Sequence, residues 1–287
     1  MIQRSLGPRS VGAIGLGGMP MSIEGRPDPE RSIATIHAAL EAGVTLIDTA
    51  DSYHLLPCEA GHNEELIARA LKTYGGDTAN VLVATKGGHL RPGDGTWTLD
   101  GRPEHLKEAA KASARRLGVE AIGLYQFHRP DPHVPYADSI GAIRELLDEG
   151  VIQLAGISNA SVDQIDLANR ILDGRLVSVQ NQFSPAHSSS LTELEHCAAL
   201  GIAFLPWSPL GGIRNASELG SRHTAFAQVA ADHGVSPQQV TLAWELALAP
   251  VVIPIPGASR PASIQDSAKA TELALTEAEV ATLTAAI

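Results

Sequence analysis

Four residues in the first half of the chain are of types that can exchange protons. Asp48 and Tyr53 belong to the stretch Gly43-Val-Thr-Leu-Ile-Asp-Thr-Ala-Asp-Ser-Tyr53, Lys86 closes Val81-Leu-Val-Ala-Thr-Lys86, and His128 closes Leu124-Tyr-Gln-Phe-His128. Residues 44–47 read as a buried parallel strand. Asp48 therefore falls at a strand's carboxyl end, where α/β barrels carry their chemistry. Lys86 and His128 end the next two apolar runs in the same way. A phenol beside an ammonium suits proton donation, because the cation favours the phenolate and makes the phenol a better acid near neutrality. Taken singly, each residue also has a bland structural reading: Asp48 as a turn cap, Tyr53 as a half-buried aromatic, Lys86 as a solvated strand end, His128 as a satisfied core histidine. Four of them on three successive strand ends are much harder to dismiss.

The elements that must position them alternate along the chain. Residues 2–6 and 10–13 flank a Gly-Pro-Arg turn and predict a short hairpin. Ile14-Gly-Leu-Gly-Gly-Met-Pro20 follows as a first strand and tight loop, whose glycines let a ligand approach the backbone. It is not a dinucleotide fingerprint, since Gly15 and Gly17 have no third glycine at the required spacing, which weighs against a Rossmann domain. Asp28-Pro29 caps and starts a helix that ends near Gly43. Strands are then expected at 44–47, 81–85, 122–127, 152–156, 177–180, 202–206 and 251–253. Helices are expected within 63–72 and at 103–117, 135–149, 161–172 (opened by a Ser-x-x-Gln capping box), 191–200, between 222 and 248, and at 261–270. Eight strands, each followed by helix and with no break in composition, predict a (β/α)8 TIM barrel occupying residues 1–287 as one domain. Ser236-Pro237 and Thr276-Glu-Ala-Glu279 each start an additional helix. The long loops, 59–63 and 87–102, leave the end of the barrel that carries the chemistry.

At 287 residues and 44% hydrophobic, the chain is long enough for a large core. A net charge of -11 with dispersed Lys and Arg argues against a nucleic-acid partner, so a phosphate ligand needs a local pocket. No apolar run reaches bilayer length, and Met-Ile-Gln-Arg-Ser-Leu-Gly7 lacks a signal-peptide core, so a cytoplasmic, soluble protein with no membrane partner is expected. Cys58 and Cys197 are too few for a disulfide scaffold and read as free thiols. His62 with Cys58 or Glu59 makes only a lone Cys-x-x-x-His in a loop, and no metal is expected. Oligomeric state is left open.

Asp48, Tyr53, Lys86 and His128, in these contexts, resemble the tetrad of the aldo-keto reductase superfamily. The likeness recurs along nearly the whole chain, including the N-terminal hairpin and the two extra helices. The resemblance implies that Tyr53 is the proton donor in carbonyl reduction, that Lys86 tunes it, and that Asp48 holds Lys86 by an ion pair. His128 would then orient the carbonyl oxygen and help stabilise developing charge. It also implies NADPH/NADP+ as the hydride carrier.

In this fold the loops after strands seven and eight commonly bind phosphate. Pro206-Trp-Ser-Pro-Leu-Gly-Gly212 and Ile255-Pro-Gly-Ala-Ser-Arg260 stand there, Gly-rich and leading into helices. Either loop alone could be a simple turn. Carried over by position, Ser158, Asn159 and Gln180 would hydrogen-bond the nicotinamide carboxamide. Trp207 would stack on the ring, where the family usually has tyrosine or phenylalanine. Ser208, Leu210 and Gly212 would line the pyrophosphate, with Gly18, Met19 and Gly257 alongside the cofactor. Ser259 and Arg260 would meet the 2'-phosphate, and Asp266 and Ser267 stand where many members have Glu and Asn toward the adenine. The run Trp97-Thr-Leu-Asp-Gly-Arg-Pro-Glu resembles a bacterial branch with pyridoxal-like or aromatic aldehyde substrates, and it makes Trp97 a candidate pocket wall for a small carbonyl substrate. An alternative is a cofactor-binding, redox-sensing subunit like the potassium-channel β subunits. Those carry an added N-terminal segment, whereas here the hairpin begins almost at Met1, which favours the enzyme.

Overall fold

The computed structural model describes residues 1–213 and 215–287. It opens with the expected hairpin: β1 (Gln3–Leu6) and β2 (Arg9–Gly12) pair antiparallel from Gln3↔Gly12 to Leu6↔Arg9. Leu6 and Val11 join the apolar cluster of Leu46, Leu82, Leu124, Leu154 and Leu205, so the hairpin plugs the barrel at the amino ends of the strands. Arg4 fastens it to the last turn of a later helix, donating to the carbonyls of Leu246 (2.7 Å) and Ala249 (2.5 Å). Those are the carbonyls a helix end leaves without partners.

The barrel strands are β3 (Leu16–Gly17), β4 (Leu46–Asp48) and β5 (Leu82–Gly87), then, after a second small hairpin of β6 (His89–Leu90) and β7 (Thr98–Leu99), β8 (Ile122–Phe127), β9 (Ile152–Ser158), β10 (Leu176–Gln180) and β11 (Ala203–Phe204). Seven of them form one parallel sheet in the order β3-β4-β5-β8-β9-β10-β11. The eighth position is taken by residues 251–257, which bridge to β11 through Phe204↔Val252 and to β3 through Gly17↔Gly257. Ile253 and Ile255 donate N–H to the carbonyls of Phe204 (2.8 Å) and Pro206 (3.2 Å), while the carbonyls of Pro254 and Pro256 accept from Gly15 and Gly17 (both 2.9 Å). Proline has no N–H to return on the β3 side. The seam that closes the ring therefore carries half a ladder, and a Cβ on Gly17 would stand 2.9 Å from the Ile255 carbonyl oxygen, too close for any other residue.

Helices α1 (Pro29–Glu41), α2 (His62–Thr73), α3 (Pro103–Leu117), α4 (Tyr136–Asp148), α5 (Val162–Ile171) and α6 (Leu191–Leu200) alternate with the strands. Their starts follow the sequence signals: Asp28 accepts from the Arg31 N–H with Pro29 in the first turn, and Ser161 and Gln164 cap each other reciprocally. The helical stretch expected between 222 and 248 is α8 (Thr224–His233) and α9 (Pro237–Leu248), the second starting at Ser236-Pro237 as expected, and a short α7 (Leu219–Arg222) precedes them. Gly234, at φ +67°, ends α8 before Ser236 caps α9. α10 (Pro261–Ala268) stops two residues short of expectation and tightens into a 3-10 turn, and α11 (Glu277–Thr284) begins at the Thr276/Glu279 capping box. No helix among the described residues is long and apolar enough to cross a membrane.

Period-two alternation along the strands builds the site. The inward rows run Leu46 to Asp48 on β4, Leu82 and Ala84 to Lys86 on β5, and Leu124 to Gln126 on β8, with the apolar residues in one interior cluster. The upper ends are polar yet buried: Asp48, Lys86, Gln126 and Gln180 are at most 3% exposed. Residues of the opposite parity, Ile47, Tyr125, Ile157 and Val179, turn outward into the clusters beneath the helices. Gly156 leaves room for this polar layer, since a Cβ there would lie 2.9 Å from Cγ of Gln126.

Candidate active site

Lys86 is the hub. Its three ammonium protons meet three acceptors: Asp48 Oδ2 at 2.7 Å, the Thr49 carbonyl at 2.8 Å and the Tyr53 hydroxyl at 3.2 Å. The other carboxylate oxygen of Asp48 accepts from Gln180 Nε2 at 2.8 Å and, at longer range, from Gln126 Nε2 at 3.4 Å. Gly18 donates its N–H to the Asp48 carbonyl at 2.8 Å. A Cβ on Gly18 would press on that same oxygen, which accounts for a glycine there. The ring of His128 meets the Tyr53 ring edge-on, with centroids 5.8 Å apart. Asp48, Tyr53, Lys86 and His128 are thus brought together at the carboxyl ends of the strands.

Their electrostatics differ in one respect from expectation. Burial pushes the Tyr53 phenol above its ordinary value, and the opposing pull of Lys86 does not cancel it. Lys86 acts in the predicted direction, but desolvation is larger, so Tyr53 remains a protonated phenol. For Lys86 itself burial works against the charge, and Asp48 and Tyr53 more than offset it, leaving the ammonium firmly protonated. Burial, with Lys86, His89 and Arg129 nearby, holds His128 well below the usual imidazole range and hence neutral. Its Nδ1 is buried without a partner.

Behind this cluster lies a second one. Asp51 is buried with Oδ1 unpartnered, and burial followed by the neighbouring Glu64 pushes it up to about 8. Glu64 is in turn held by Arg116 Nε and Thr85 Oγ1, both at 2.5 Å.

In front of the tetrad opens a cavity of about 560 Å³, lined by Asp48, Tyr53 and His128 and by the expected Met19, Trp97, Ser158, Asn159, Gln180, Trp207, Ser208, Leu210, Gly212 and Gly257. Its size suits a small-molecule ligand. Asn159 and Ser208, both lining the cavity, adopt φ +58° and +53°, a left-handed backbone uncommon for residues with a side chain. Asn159 Nδ2 donates to the His128 carbonyl and to Ser158 Oγ, both at 3.0 Å, and its Oδ1 accepts from Trp207 Nε1 and Arg129 Nη2, both at 3.2 Å. Ser158 Oγ donates to the Gln180 carbonyl at 2.7 Å. The residues expected to hold a nicotinamide carboxamide therefore face the cavity, but Gln180 directs its amide N–H to Asp48. The glycines at 211 and 212, with φ +81° and +93°, open the backbone of the loop that follows β11. Wall, loop and orphaned imidazole nitrogen fit the nicotinamide and pyrophosphate parts of a dinucleotide.

The far end is held by contacts between helices. Asp266 does not face the cavity: its two oxygens accept from Ser236 Oγ (2.7 Å) and Gln239 Nε2 (2.6 Å), clamping α10 to the start of α9. Ser267 beside it is buried. Arg260 is exposed and donates Nε to Ser263 Oγ at 2.8 Å in the first turn of its own helix, with Ser259 half-buried beside it.

On the β6–β7 side of the cavity the sequence pointed to Trp97 but not to its neighbours His89 and Arg91, nor to Arg129. Trp97 stacks on His89 at 4.7 Å and lies over the Arg91 guanidinium at 4.8 Å. Arg91, buried, donates to the His54 carbonyl at 2.7 Å and pairs with Glu24, so one side chain pins three loops. His89 meets the His128 ring edge-on at 4.8 Å, and burial with Arg129 and Lys86 lowers it to about 4. Arg129 lines the cavity immediately after His128. Its place just past a strand's carboxyl end was the available signal. His62, set aside as a metal ligand, has Nδ1 2.8 Å from Ser22 Oγ, and Glu59 pairs with Arg26.

A parallel barrel whose strand ends carry a buried carboxylate, lysine, tyrosine and histidine beside a ligand-sized cavity is the architecture of a barrel oxidoreductase. Residues 13–287 match the family described as the Aldo/keto reductase family, and the chain belongs to it. It is 36% identical over 274 residues to an uncharacterized oxidoreductase of Schizosaccharomyces pombe, covering 94% of this chain and 85% of that one. It is 32% identical over 291 residues to pyridoxine 4-dehydrogenase of Escherichia coli, covering 97% and 96%. A solved structure of a thermostable aldo-keto reductase with the inhibitor epalrestat superposes with a TM-score of 0.84 at 27% identity, covering 100% of both chains.

Proposed function

We propose that the protein reduces small aldehydes or ketones to alcohols with NADPH, using Tyr53 as the proton donor. The observation that carries this reading is the Tyr53 hydroxyl, still a phenol, 3.2 Å from a lysine ammonium and beside a neutral His128 at the cavity wall. When bound, NADPH supplies a hydride to the carbonyl carbon. Ser158, Asn159, Gln180 and Trp207 would hold its nicotinamide, the loop of Ser208, Leu210 and Gly212 its pyrophosphate, and Ser259 with Arg260 its 2'-phosphate.

The chain's own part is proton and charge management. A carbonyl oxygen seated between Tyr53 and His128 receives a hydrogen bond from each. As charge grows on it, Tyr53 passes its proton over, and the phenolate left behind is stabilised by Lys86. Asp48 keeps that lysine charged and aimed, and Gln180 in turn fixes Asp48. The wall of Trp97 and His89 favours a flat, aromatic carbonyl compound, in line with the pyridoxine 4-dehydrogenase relative. The test is the loss of reduced cofactor when purified protein is mixed with NADPH and a panel of aliphatic and aromatic aldehydes. Tyr53→Phe should bind NADPH normally and lose about a hundredfold or more in kcat. No turnover with any member of the panel, or a Tyr53→Phe variant keeping most of its kcat, would sink the reading.

A further inference from the structure

Among the described residues, Arg129 is a cation without a counter-charge. Its partly buried guanidinium carries five N–H donors, yet its one side-chain hydrogen bond is to the neutral amide oxygen of Asn159, which it shares with Trp207. Other partly or fully buried arginines around it finish on carboxylates: Arg26 on Glu59, Arg91 on Glu24 and Arg116 on Glu64. Of the residues lining the cavity, the acids are Asp48 and Glu24, and each is already paired. Arg129 has no ion pair among the described residues. Burial draws its affinity for the proton down, the direction expected of a charge removed from water with nothing to balance it. Next to it stand His89 and His128, neutral rings whose own protonation it opposes. This corner of the cavity is therefore electropositive, rich in N–H donors and free of carboxylates, and it adjoins the Tyr53–His128 pair.

We propose that Arg129 is a specificity residue for the substrate: it receives an anionic oxygen group, so that the preferred substrates are small aldehydes or ketones bearing a negative charge close to the carbonyl. The inference rests on the reading of this cavity as a carbonyl-reducing site. A guanidinium presents paired N–H groups that match a carboxylate or phosphate in two parallel hydrogen bonds, and a desolvated setting strengthens them. An anion there also completes the charge balance that the protein leaves open. A neutral substrate of the same shape would leave the guanidinium unpaired, and that asymmetry is where large discrimination arises.

The test uses matched pairs of carbonyl compounds: benzaldehyde with its 2-, 3- and 4-carboxy derivatives, butanal with 4-oxobutanoate, and glyceraldehyde with its 3-phosphate. The carboxylate and phosphate arms distinguish the two sources of anionic oxygen. Wild type should favour at least one charged member over its neutral partner by tenfold or more in kcat/KM. Arg129→Met should lower that ratio at least tenfold, about 1.4 kcal/mol, and Arg129→Lys should keep part of it. The ratio is read within each variant, so a general loss of activity does not imitate the effect. The proposal is overturned if no charged member is preferred, if Arg129→Met depresses both members of a pair equally, or if it weakens NADPH binding while leaving the ratio alone. Should no carbonyl compound be reduced at all, the reductase reading fails separately. Calorimetric binding of 3-(hydroxymethyl)benzoate against benzyl alcohol, in wild type and Arg129→Met, still decides the anion site: a charged-ligand advantage lost in the variant supports it, and equal binding refutes it.

Discussion

Replacing Lys86 by Met removes a charge and little volume, and the structure says what should follow. The side chains of Lys86 and Asp48 are 0% and 5% exposed, and they meet at 2.7 Å. In Lys86→Met, Asp48 keeps its bond from Gln180 but loses its counter-charge, and the Thr49 carbonyl and Tyr53 hydroxyl lose a donor. Breaking one side of a buried ion pair costs about 3–5 kcal/mol, a large part of the ~5–15 kcal/mol by which proteins are stable. With a urea m-value near 3 kcal/mol/M, the unfolding midpoint should fall by roughly 1–1.7 M. Asp48→Asn combined with Lys86→Met removes both charges together, and most of that loss should return because no carboxylate is left stranded. Activity should stay lost in both variants, since Tyr53 has no ammonium beside it. Urea unfolding followed by the fluorescence of Trp244, buried between Phe183 and Phe226, measures this. A single variant within about 0.3 M of wild type, or a double variant no more stable than the single, would refute the claim that the ion pair seats Lys86 under Tyr53.

Three further outcomes are expected. Asp51, at about 8 when folded against 3.8 for a free side chain, is ionised in the unfolded chain and neutral in the folded one between those values. Folded stability should therefore fall as pH rises from about 4 to 8, and Asp51→Asn should gain on wild type by ~1.4 kcal/mol per pH unit across that window, compared by urea unfolding at pH 5 and pH 8; a gain equal at both would contradict it. Arg260→Ala should weaken NADPH binding about tenfold or more and leave NADH nearly unchanged, read as Kd by fluorescence quenching. Equal weakening would confine Arg260 to its Ser263 bond at the start of α10. Glu245, fully buried with both oxygens unpartnered and pushed far above the carboxylate range by burial, should be replaceable by Met with a gain of about 1–3 kcal/mol, and a lower urea midpoint would count against it.

The barrel was legible because its signals are local. Leu46 to Asp48 or Leu82 to Lys86 can be read as an inward row within one strand, and caps such as Asp28-Pro29 or Ser161/Gln164 announce helices from three or four residues. Where an element is two residues long, no period exists to read. The β6–β7 hairpin inside the 87–102 loop was missed for that reason, and with it the stacking of His89 and Trp97. The closing segment fell between the two cases: Val251-Val-Ile is a strand pattern, but Pro254 and Pro256 change its ladder in a way that shows only against its neighbours.

The site divides along the same line. Asp48, Tyr53, Lys86 and His128 could be found because they sit at or just beyond the ends of three successive barrel strands, and closing the barrel gathers strand ends whatever the detail of packing. What each polar group bonds to depends on register between strands far apart in sequence. Gln180, expected at a cofactor carboxamide, lines the cavity and also reaches across the barrel from β10 to Asp48 on β4, 132 residues away, and Gln126 stands in the same layer from β8. Asp266, expected toward an adenine, takes a partner on each oxygen, Ser236 and Gln239, because α10 approaches α9. A motif therefore fixes where a functional group lies along its strand or helix. Whether that group stays free for a ligand is decided by which partners the fold delivers within about 3 Å, and Arg129, beside His128 in sequence yet left without a carboxylate in space, is the residue for which the second question has the informative answer.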